Sequence, residues 1–377
     1  MQLPTVNRHR FAELDALRAF AVTLVVWSHT VGRVISIGGY HIGGYQGVLL
    51  FFVISGFLIT GILLDSRAQA AGRAVPWIGV LRAFYTRRFL RIFPIYYAVL
   101  FLAFGLGFSV VRAEFGWHLT YLSNWYFAYK GQFGYPTAHL WSLAVEEQFY
   151  LIWPWFALLV PLAGMPWIIG AMILIGPVSR LALSSAGVND LAGWITTPTV
   201  LDALGLGCLL AYVWRHTKAA DRVARWAVLV AVLIAVLHKA MTLLGIPAYA
   251  LLEKTPLGWS LLCMWMVHQA ARGLHGWLGK LLRAPPLVYL GTISYGIYVF
   301  HLFVAYVLRK LQHRFGFDFP GLAQGGLGEF VVVMLLCVAS AALSWKFFER
   351  PINSLKDHFP YVRELRPATP GVQMPTP

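Results

Sequence analysis

The chain has 377 residues, of which 59 % are apolar and only 12 % are charged, and its mean hydropathy is +0.66. A soluble domain normally carries about 25 % charged residues, so this composition excludes an ordinary water-soluble fold and predicts a protein embedded in a lipid bilayer. The net charge of +15 would suit nucleic-acid binding in a soluble protein. Here the basic residues flank apolar segments, so we attribute them to membrane topology and expect no nucleic-acid partner.

Ten apolar segments of roughly membrane-spanning length follow one another along the chain. Most are close to the ~20 helical residues that cross a bilayer core about 30 Å thick, and the sixth and eighth are shorter. We therefore predict an all-α integral membrane protein with a transmembrane domain over residues 1–351 and a polar cytoplasmic tail over 352–377, disordered at its end. The predicted spans are residues 14–31, 48–64, 92–111, 143–162, 167–183, 200–213, 226–244, 257–271, 287–308 and 330–347.

The distribution of Lys and Arg predicts the orientation. If both termini are cytoplasmic, most of the 30 basic residues fall on the cytoplasmic side, as the positive-inside rule requires. The ninth connection, with Arg309, Lys310 and Arg314, is a local exception. No cleavage site of the signal-peptide type follows the first span, so we expect that span to be retained.

The first predicted helix carries two polar residues, Arg18 and His29, that are eleven positions apart. Eleven steps of about 100° come to within about 20° of three full turns, so both side chains project from one helical face, separated by about 16 Å along the axis. Two interpretations stay open. Arg18 can extend to the inner headgroups while His29 ends the helix, or His29 serves as a general base, the role that neutral imidazole favours near neutral pH.

Three arginines, Arg87, Arg88 and Arg91, precede the third predicted span. Arg87 and Arg91 are four positions apart, which places them on one helical face. Guanidinium groups bind phosphate oxygens through two parallel hydrogen bonds, so the trio is suited to hold a polyphosphate ligand at the cytoplasmic mouth of a helix. A positively charged flank that contacts lipid phosphates is the alternative.

Two adjacent carboxylates, Glu146 and Glu147, stand at the start of the fourth predicted span. Their side chains point about 100° apart on a helix, so they do not form a paired acid–base dyad. One of them can orient a histidine or an arginine while the other faces the interface. Acidic residues that complement the helix dipole are the alternative.

Other polar or small residues within the spans give weaker signals. Asp202 begins the sixth span, where N-capping would explain it, and His301 lies deep in the ninth. Ser55 and Gly56 in the second span are small enough to let helices approach closely. The histidines and acids lack the spacing of a metal site, so we expect no metal.

Five stretches occur in order along the chain. The first is LDALR from residue 14, followed by His29 at the spacing Arg-x10-His. The others are FFVISGFLI at 51–59, RRFLRIFPIYY at 87–97, HLWSLAVEEQFYLIWP at 139–154 and FFERP at 347–351. Together they make the chain resemble the acyltransferase-3 family of membrane O-acyltransferases over nearly its whole length, and the ten predicted spans agree with that family.

The resemblance implies a multi-pass enzyme of the bacterial inner membrane that moves an acyl group, commonly acetyl, from cytoplasmic acyl-CoA to a hydroxyl of a carbohydrate or lipid-linked glycan acceptor. It implies that His29 is the essential histidine and that Glu146 and Glu147 form the acidic motif. It assigns the donor acetyl-CoA to four arginines, Arg18, Arg87, Arg88 and Arg91. Further family-like positions are Asp15, Asp202, His301, Glu349 and Arg350. Some family members continue into a periplasmic SGNH-type domain, so we expect any such partner here to be a separate protein.

We expect the pantetheine arm of acyl-CoA to run between helices from the arginines to His29. There His29 would act as a general base on the acceptor hydroxyl, with Glu146 or Glu147 holding an imidazole or an arginine in place. A covalent acyl-histidine intermediate is the other route, and the sequence leaves both open.

Two other protein classes compete with the enzyme. A secondary transporter of an anionic or lipid-linked substrate predicts inverted repeats with broken helices in matching halves, and the sequence displays no such symmetry. A non-enzymatic membrane scaffold would not need Arg18, His29 and the arginine trio together.

Overall fold

Long apolar runs form helices in a bilayer because a spanning helix satisfies all of its own backbone hydrogen bonds. The computed structural model describes residues 12–32, 35–37, 40–246, 256–316 and 325–362, and most of these residues are helical. A short antiparallel hairpin of β1 (Ile35–Ile37) and β2 (Tyr40–Ile42) is the one departure from helix and turn in this part of the chain. The predicted disordered end of the tail lies outside the described residues.

The helices follow one another from the first to the last described segment. They are α1 (Ala12–Thr30), α2 (Gly44–Gly72), α3 (Trp77–Gly105), α4 (Ser109–Leu119), α5 (Ser123–Lys130), α6 (Leu140–Leu159), α7 (Met165–Ser185), α8 (Asp190–Ile195), α9 (Leu201–His216), α10 (Ala220–Leu243), α11 (Leu257–Arg272), α12 (Gly276–Leu282), α13 (Pro285–Thr292), α14 (Ser294–Phe315), α15 (Leu327–Ser344) and α16 (Arg350–Ser354). Three-residue 3-10 turns, Leu162–Gly164 and Pro198–Val200, precede α7 and α9. A π-helical turn, Trp345–Glu349, joins α15 to α16, and a 3-10 turn, Leu355–His358, follows α16.

Each predicted apolar segment falls on a helix, but two of the predictions need correction. The third segment, 92–111, covers only the second half of α3, which begins at Trp77, and runs on into the first residues of α4. The ninth segment, 287–308, is divided between α13 and α14, which meet at a bend of 68°. The bend lies at Ile293, whose backbone (φ −93°, ψ 5°) caps both helices and departs from helical geometry.

Five stretches of the described chain are long and apolar enough to cross a membrane, and the bent pair α13–α14 makes a sixth. The five are Gly44–Gly72, Trp77–Gly105, Leu162–Ser185, Ala220–Leu243 and Leu327–His358. Two of the other predicted spans are too short to count on length alone, because α9 and α11 have 16 residues each, fewer than the ~20 that cross a bilayer core. The number of ten spans therefore stays a prediction.

The centre of the bundle is the crossing of α2 and α9, where two glycines bring the backbones into contact. A Cβ atom on Gly207 would lie 2.7 Å from the backbone nitrogen of Phe57 and 3.0 Å from the Cα of Gly56. A Cβ atom on Gly56 would lie 3.2 Å from the backbone nitrogen of Cys208. The prediction that Gly56 permits close helix approach is confirmed. Around this crossing, α1 packs against α2, α13 and α14, while α10 packs on α11 at the periphery.

Ion pairs tie neighbouring helices together inside the apolar bundle. Asp202, which the sequence explains as an N-cap, instead pairs with Arg180 of α7 at 2.5 Å, and both side chains are buried. Removing one partner of such a pair would leave an uncompensated buried charge. The others include Arg215 of α9 with Asp65 of α2 at 2.7 Å, Arg283 with Glu13 of α1 at 2.6 Å, and Arg309 of α14 with Glu329 of α15 at 2.6 Å.

We predict that Gly207→Ala destabilises the protein, because the added methyl group would collide with the backbone of α2 rather than with a side chain that can move. Overpacking of this kind costs about 1–3 kcal/mol. The measurement is the thermal unfolding midpoint of the purified protein in detergent. Gly170→Ala in α7 is the matched control, because a Cβ atom there meets nothing within 4 Å. An equal loss of stability in both variants would contradict this account of the crossing.

Candidate active site

A cavity lined by three arginines and two glutamates lies among α1, α2, α3, α6 and the first residues of α14. We call it the arginine cavity. Apolar, aromatic and serine side chains form the rest of its wall. The five charged residues come from three helices, and they are Arg18 of α1, Arg88 and Arg91 of α3, and Glu146 and Glu147 of α6.

The guanidinium groups of the arginine cavity have few partners within the protein. Arg18 has one long ion pair within its own helix, to Asp15 at 3.6 Å, and its Nε is buried without a hydrogen-bond partner. Arg88 lies over the ring of Tyr150, 5.0 Å from its centroid. In the described part of the chain neither Arg88 nor Arg91 forms an ion pair. Positive charges that the protein leaves unpaired are suited to an anionic ligand.

Arg87 does not join the other arginines. Its guanidinium donates hydrogen bonds to the carbonyl oxygens of Lys356 at 2.7 Å and Phe359 at 3.2 Å, and it lies 5.0 Å from the ring centroid of Tyr361. The side chain thus holds the C-terminal segment against α3. The predicted group of three arginines is therefore divided, with Arg87 apart from Arg88 and Arg91. Its predicted place at a helix mouth is also wrong, because α3 begins about three turns before Arg87.

The two glutamates lie within α6 rather than at its start. The helix begins at Leu140, so the prediction that they open it is wrong, and complementing the helix dipole does not explain them. The Oε1 atom of Glu146 accepts a hydrogen bond of 2.5 Å from the hydroxyl of Ser55 on α2. Tyr150 donates to the same hydroxyl at 3.0 Å. Glu146 therefore helps to fix α6 against α2 at the edge of the arginine cavity.

His29 lies in the last turn of α1, away from the arginine cavity, and its side chain is exposed. Its Nδ1 atom is 2.9 Å from the carbonyl oxygen of Val25 and 3.3 Å from the Nε2 atom of His301 on α14. Because α1 is continuous from Ala12 to Thr30, Arg18 and His29 are about 16 Å apart along its axis, as the spacing predicts. No contact joins His29 to Glu146 or Glu147 among the described residues.

Three histidines from three parts of the chain form a group that we call the histidine cluster, namely His29, His139 and His301. The ring centroids of His29 and His301 are 5.0 Å apart, and those of His139 and His301 are 4.5 Å apart. His139 and His301 are buried, with relative exposures of 1 % and 0 %. In the sequence His301 is only a weak candidate, and nothing there singles out His139. The signal that was available is that His139 opens the same motif that contains the two glutamates.

A polar wall separates the arginine cavity from the histidine cluster. Ser142 and Tyr298 line the cavity, and their hydroxyl oxygens are 2.6 Å apart. The Tyr298 hydroxyl also donates to the carbonyl oxygen of His139 at 3.1 Å, and the Tyr298 carbonyl oxygen is 2.6 Å from His301 Nδ1. The arginine cavity and the histidine cluster therefore share one wall.

The remaining predicted residues lie elsewhere in the fold. Asp202 pairs with Arg180, and Glu349 accepts a hydrogen bond from Ser344 at 2.8 Å in the π-helical turn. Arg350, at the start of α16, is exposed. Within the described ranges no group of three or more His, Cys, Asp or Glu side chains has the arrangement of a metal site.

Comparison with known proteins identifies relatives of this chain. Residues 11–347 match the acyltransferase-3 family model, described as an acyltransferase domain. YrhL of Bacillus subtilis (strain 168), which carries the provisional name of a peptidoglycan O-acetyltransferase, is 31 % identical over 375 residues, which cover 92 % of this chain and 56 % of YrhL. The peptidoglycan O-acetyltransferase OatA of Listeria monocytogenes is 29 % identical over 386 residues, with 92 % of this chain and 56 % of that protein covered.

The O-acetyltransferase OatA of Staphylococcus aureus is 28 % identical over 383 residues, which cover 90 % of this chain and 57 % of that protein. This chain therefore spans a little over half the length of the curated relatives that it matches. No solved structure matches it.

We predict that a small polyanion stabilises the protein through Arg88 and Arg91. Tripolyphosphate should raise the thermal unfolding midpoint of the wild type, because a ligand that binds only the folded state stabilises it by mass action. The shift should disappear in the double variant Arg88→Gln/Arg91→Gln and should weaken as the salt concentration rises. Arg87→Gln is the matched control and should keep the shift. An equal loss of the shift in the control would contradict the assignment of the anion to the arginine cavity.

Proposed function

Because the chain belongs to the acyltransferase-3 family, we propose that it is a membrane O-acyltransferase that moves an acetyl group from cytoplasmic acetyl-CoA to a hydroxyl of a cell-envelope glycan. The observation that carries the proposal is the arrangement along α1. This helix brings Arg18 to a cavity with unpaired arginines at one end and an accessible imidazole, His29, to the other. A donor with phosphates at one end and a thioester at the other matches that arrangement.

We assign the phosphates of acetyl-CoA to the arginine cavity. Arg88 and Arg91 are three residues apart on α3, so their guanidinium groups can grip neighbouring phosphate oxygens from one side, with Arg18 facing them from α1. Ser294 and Tyr295 in the first turn of α14 also line the cavity. The N-terminus of a helix carries a partial positive charge, which favours the same anion. Arg87 is left out of the donor site because it is occupied with the C-terminal segment.

We assign the chemistry to His29. The carbonyl oxygen of Val25 can only accept a hydrogen bond, so the proton of the neutral His29 ring is on Nδ1 and the lone pair is on Nε2. As the acceptor oxygen attacks the thioester carbonyl, Nε2 takes the hydroxyl proton. The C–S bond then breaks, and the proton passes to the sulfur of the leaving CoA. The same lone pair also suits the second route, in which Nε2 attacks the thioester and carries the acetyl group itself.

We propose a glycan of the peptidoglycan type as the acceptor class. Two of the relatives are named for peptidoglycan, and they match more than nine-tenths of this chain. The chain covers only a little over half of their length, and we propose the same acceptor class for it. The transporter alternative is less favoured, because the chain belongs to an acyltransferase family and because transport does not require an accessible general base.

We propose ten spans in the bacterial inner membrane, with both termini cytoplasmic. The order of the ten helical segments and the charge distribution support this topology. Bacterial alkaline phosphatase fused after residue 377 should be inactive, because that reporter needs an oxidising compartment to form its disulfides, and a green fluorescent protein fused there should fluoresce. The reverse pattern would rule out the cytoplasmic C-terminus.

We predict that His29→Ala abolishes acetyl transfer but keeps acetyl-CoA binding, because the arginine cavity does not include His29. Loss of a general base typically costs about 100- to 10,000-fold in rate. The wild type and the variant are reconstituted in nanodiscs with radiolabelled acetyl-CoA and a membrane extract that contains lipid-linked glycans, and label is followed into lipid-soluble product.

His275→Ala is the matched control for His29→Ala. This histidine is exposed before α12, and its side chain makes no hydrogen bond within the described residues. The control should transfer like the wild type. If neither the wild type nor the variants bind acetyl-CoA, the donor assignment is wrong and transport becomes the leading function.

A further inference from the structure

The histidine cluster is held together by hydrogen bonds whose direction can be assigned. The carbonyl oxygen of Tyr298 lies 2.6 Å from His301 Nδ1 and can only accept, so Nδ1 of His301 carries the ring proton. A neutral imidazole has one N–H group and one lone pair. The Nε2 atom of His301, which is 3.3 Å from His29, is therefore an acceptor.

The ring proton of His29 is also on Nδ1, which matches the acceptor role of His301 Nε2. Its Nδ1–H group lies between two acceptors, the Val25 carbonyl oxygen at 2.9 Å and His301 Nε2 at 3.3 Å. Both partners require the proton on Nδ1. The cluster thus selects the ring form of His29 whose Nε2 lone pair is free.

The position of the third ring limits the movement of His301. His139 packs edge-on against His301 with ring centroids 4.5 Å apart, and its Nε2 donates to the carbonyl oxygen of Val299 at 3.1 Å. Both rings are fully or almost fully buried. His301 is therefore fixed between the backbone of its own helix and His139, and His29 is the accessible end of the cluster.

We propose that His301 is a positioning residue for the acyl transfer, which holds His29 in the reactive ring form and shares the charge that His29 acquires. This inference rests on the proposed function of His29. When His29 Nε2 has taken the acceptor proton, its Nδ1–H group becomes part of a cation. The hydrogen bond to His301 Nε2 is then charge-assisted and about twice as strong as a neutral one. The proton leaves His29 again when it passes to the CoA sulfur, so no further reactant is needed.

A neutral imidazole suits this buried place better than the carboxylate that often orients a catalytic histidine. An ionised carboxylate without a paired cation would be costly at a site with no solvent exposure. Among the described residues no carboxylate hydrogen-bonds to His29 or to His301. The arrangement still follows the general logic of a base oriented by a third group.

The test compares His301→Gln with His301→Met in the full-length protein in nanodiscs, with radiolabelled acetyl-CoA and the lipid-linked glycan extract. Gln can donate to the Tyr298 carbonyl and accept from His29, whereas Met fills a similar volume and accepts no comparable hydrogen bond. We expect kcat to fall by about 10- to 100-fold in His301→Met, by analogy with the loss of the groups that orient metal-binding histidines. His301→Gln should recover most of that loss. The KM for acetyl-CoA should stay within about threefold in both, because Ser142, Tyr298 and the arginines are unchanged.

Equal losses in the Gln and Met variants, or a rise in KM that accounts for the loss, would overturn the positioning role. A second measurement needs no His301 variant. In the nitrogen-15 NMR spectrum of histidine-labelled wild type, the signals that disappear in His29→Ala should be those of an Nδ1-protonated neutral ring, and an Nε2-protonated ring would overturn the proposal. Failure of the proposed role of His29 and failure of the role of His301 are distinguishable. Wild-type turnover in His29→Ala would rule out His29 as the base. An inactive His29→Ala together with a fully active His301→Met would rule out only the role of His301.

Discussion

The pairing of charges in an apolar bundle is the constraint on which the rest of this structure depends. A charged side chain taken out of water costs several kcal/mol unless a partner compensates it. The ion pairs Arg180–Asp202 and Arg309–Glu329 meet that requirement by joining neighbouring helices. Arg88 and Arg91 do not, as far as the described residues extend. Both line the arginine cavity beside Glu146 and Glu147 without a direct ion pair, and the anionic ligand that we propose there would pair with them.

The helix α1 sets the distance between the arginine cavity and the histidine cluster. It is unbroken between Arg18 and His29, and it packs against α2, α13 and α14. In the proposed function, the reactive carbon of the donor lies about 16 Å from the charge that Arg18 contacts. Ser142 and Tyr298 line the cavity, and Tyr298 also hydrogen-bonds to the histidine cluster. Tyr298 consequently contacts both the arginine cavity and His301.

The sequence predicts the parts of the molecule that depend on local pattern. Apolar length locates every predicted helix, and helical periodicity places Arg18 and His29 on one stripe. It does not predict the start of α3, because the polar first half of that helix lacks the apolar pattern on which the prediction relied. It does not separate Arg87 from Arg88, because the difference depends on a C-terminal segment more than 260 residues away. The cluster of His29 and His301, 272 residues apart, is likewise a product of tertiary packing.

The contact between Gly56 and Gly207 has a consequence for how sequences of this kind can diverge. At Gly61 and Gly176 an added Cβ atom would meet the side chains of Arg215 and Asp202, so a second substitution at the neighbour could make room. At the α2–α9 crossing the obstacle on each side is main chain, which every amino acid carries. No second substitution at the opposing position can relieve that collision. A side chain at either of these two positions therefore cannot be accommodated by a change in the opposing side chain.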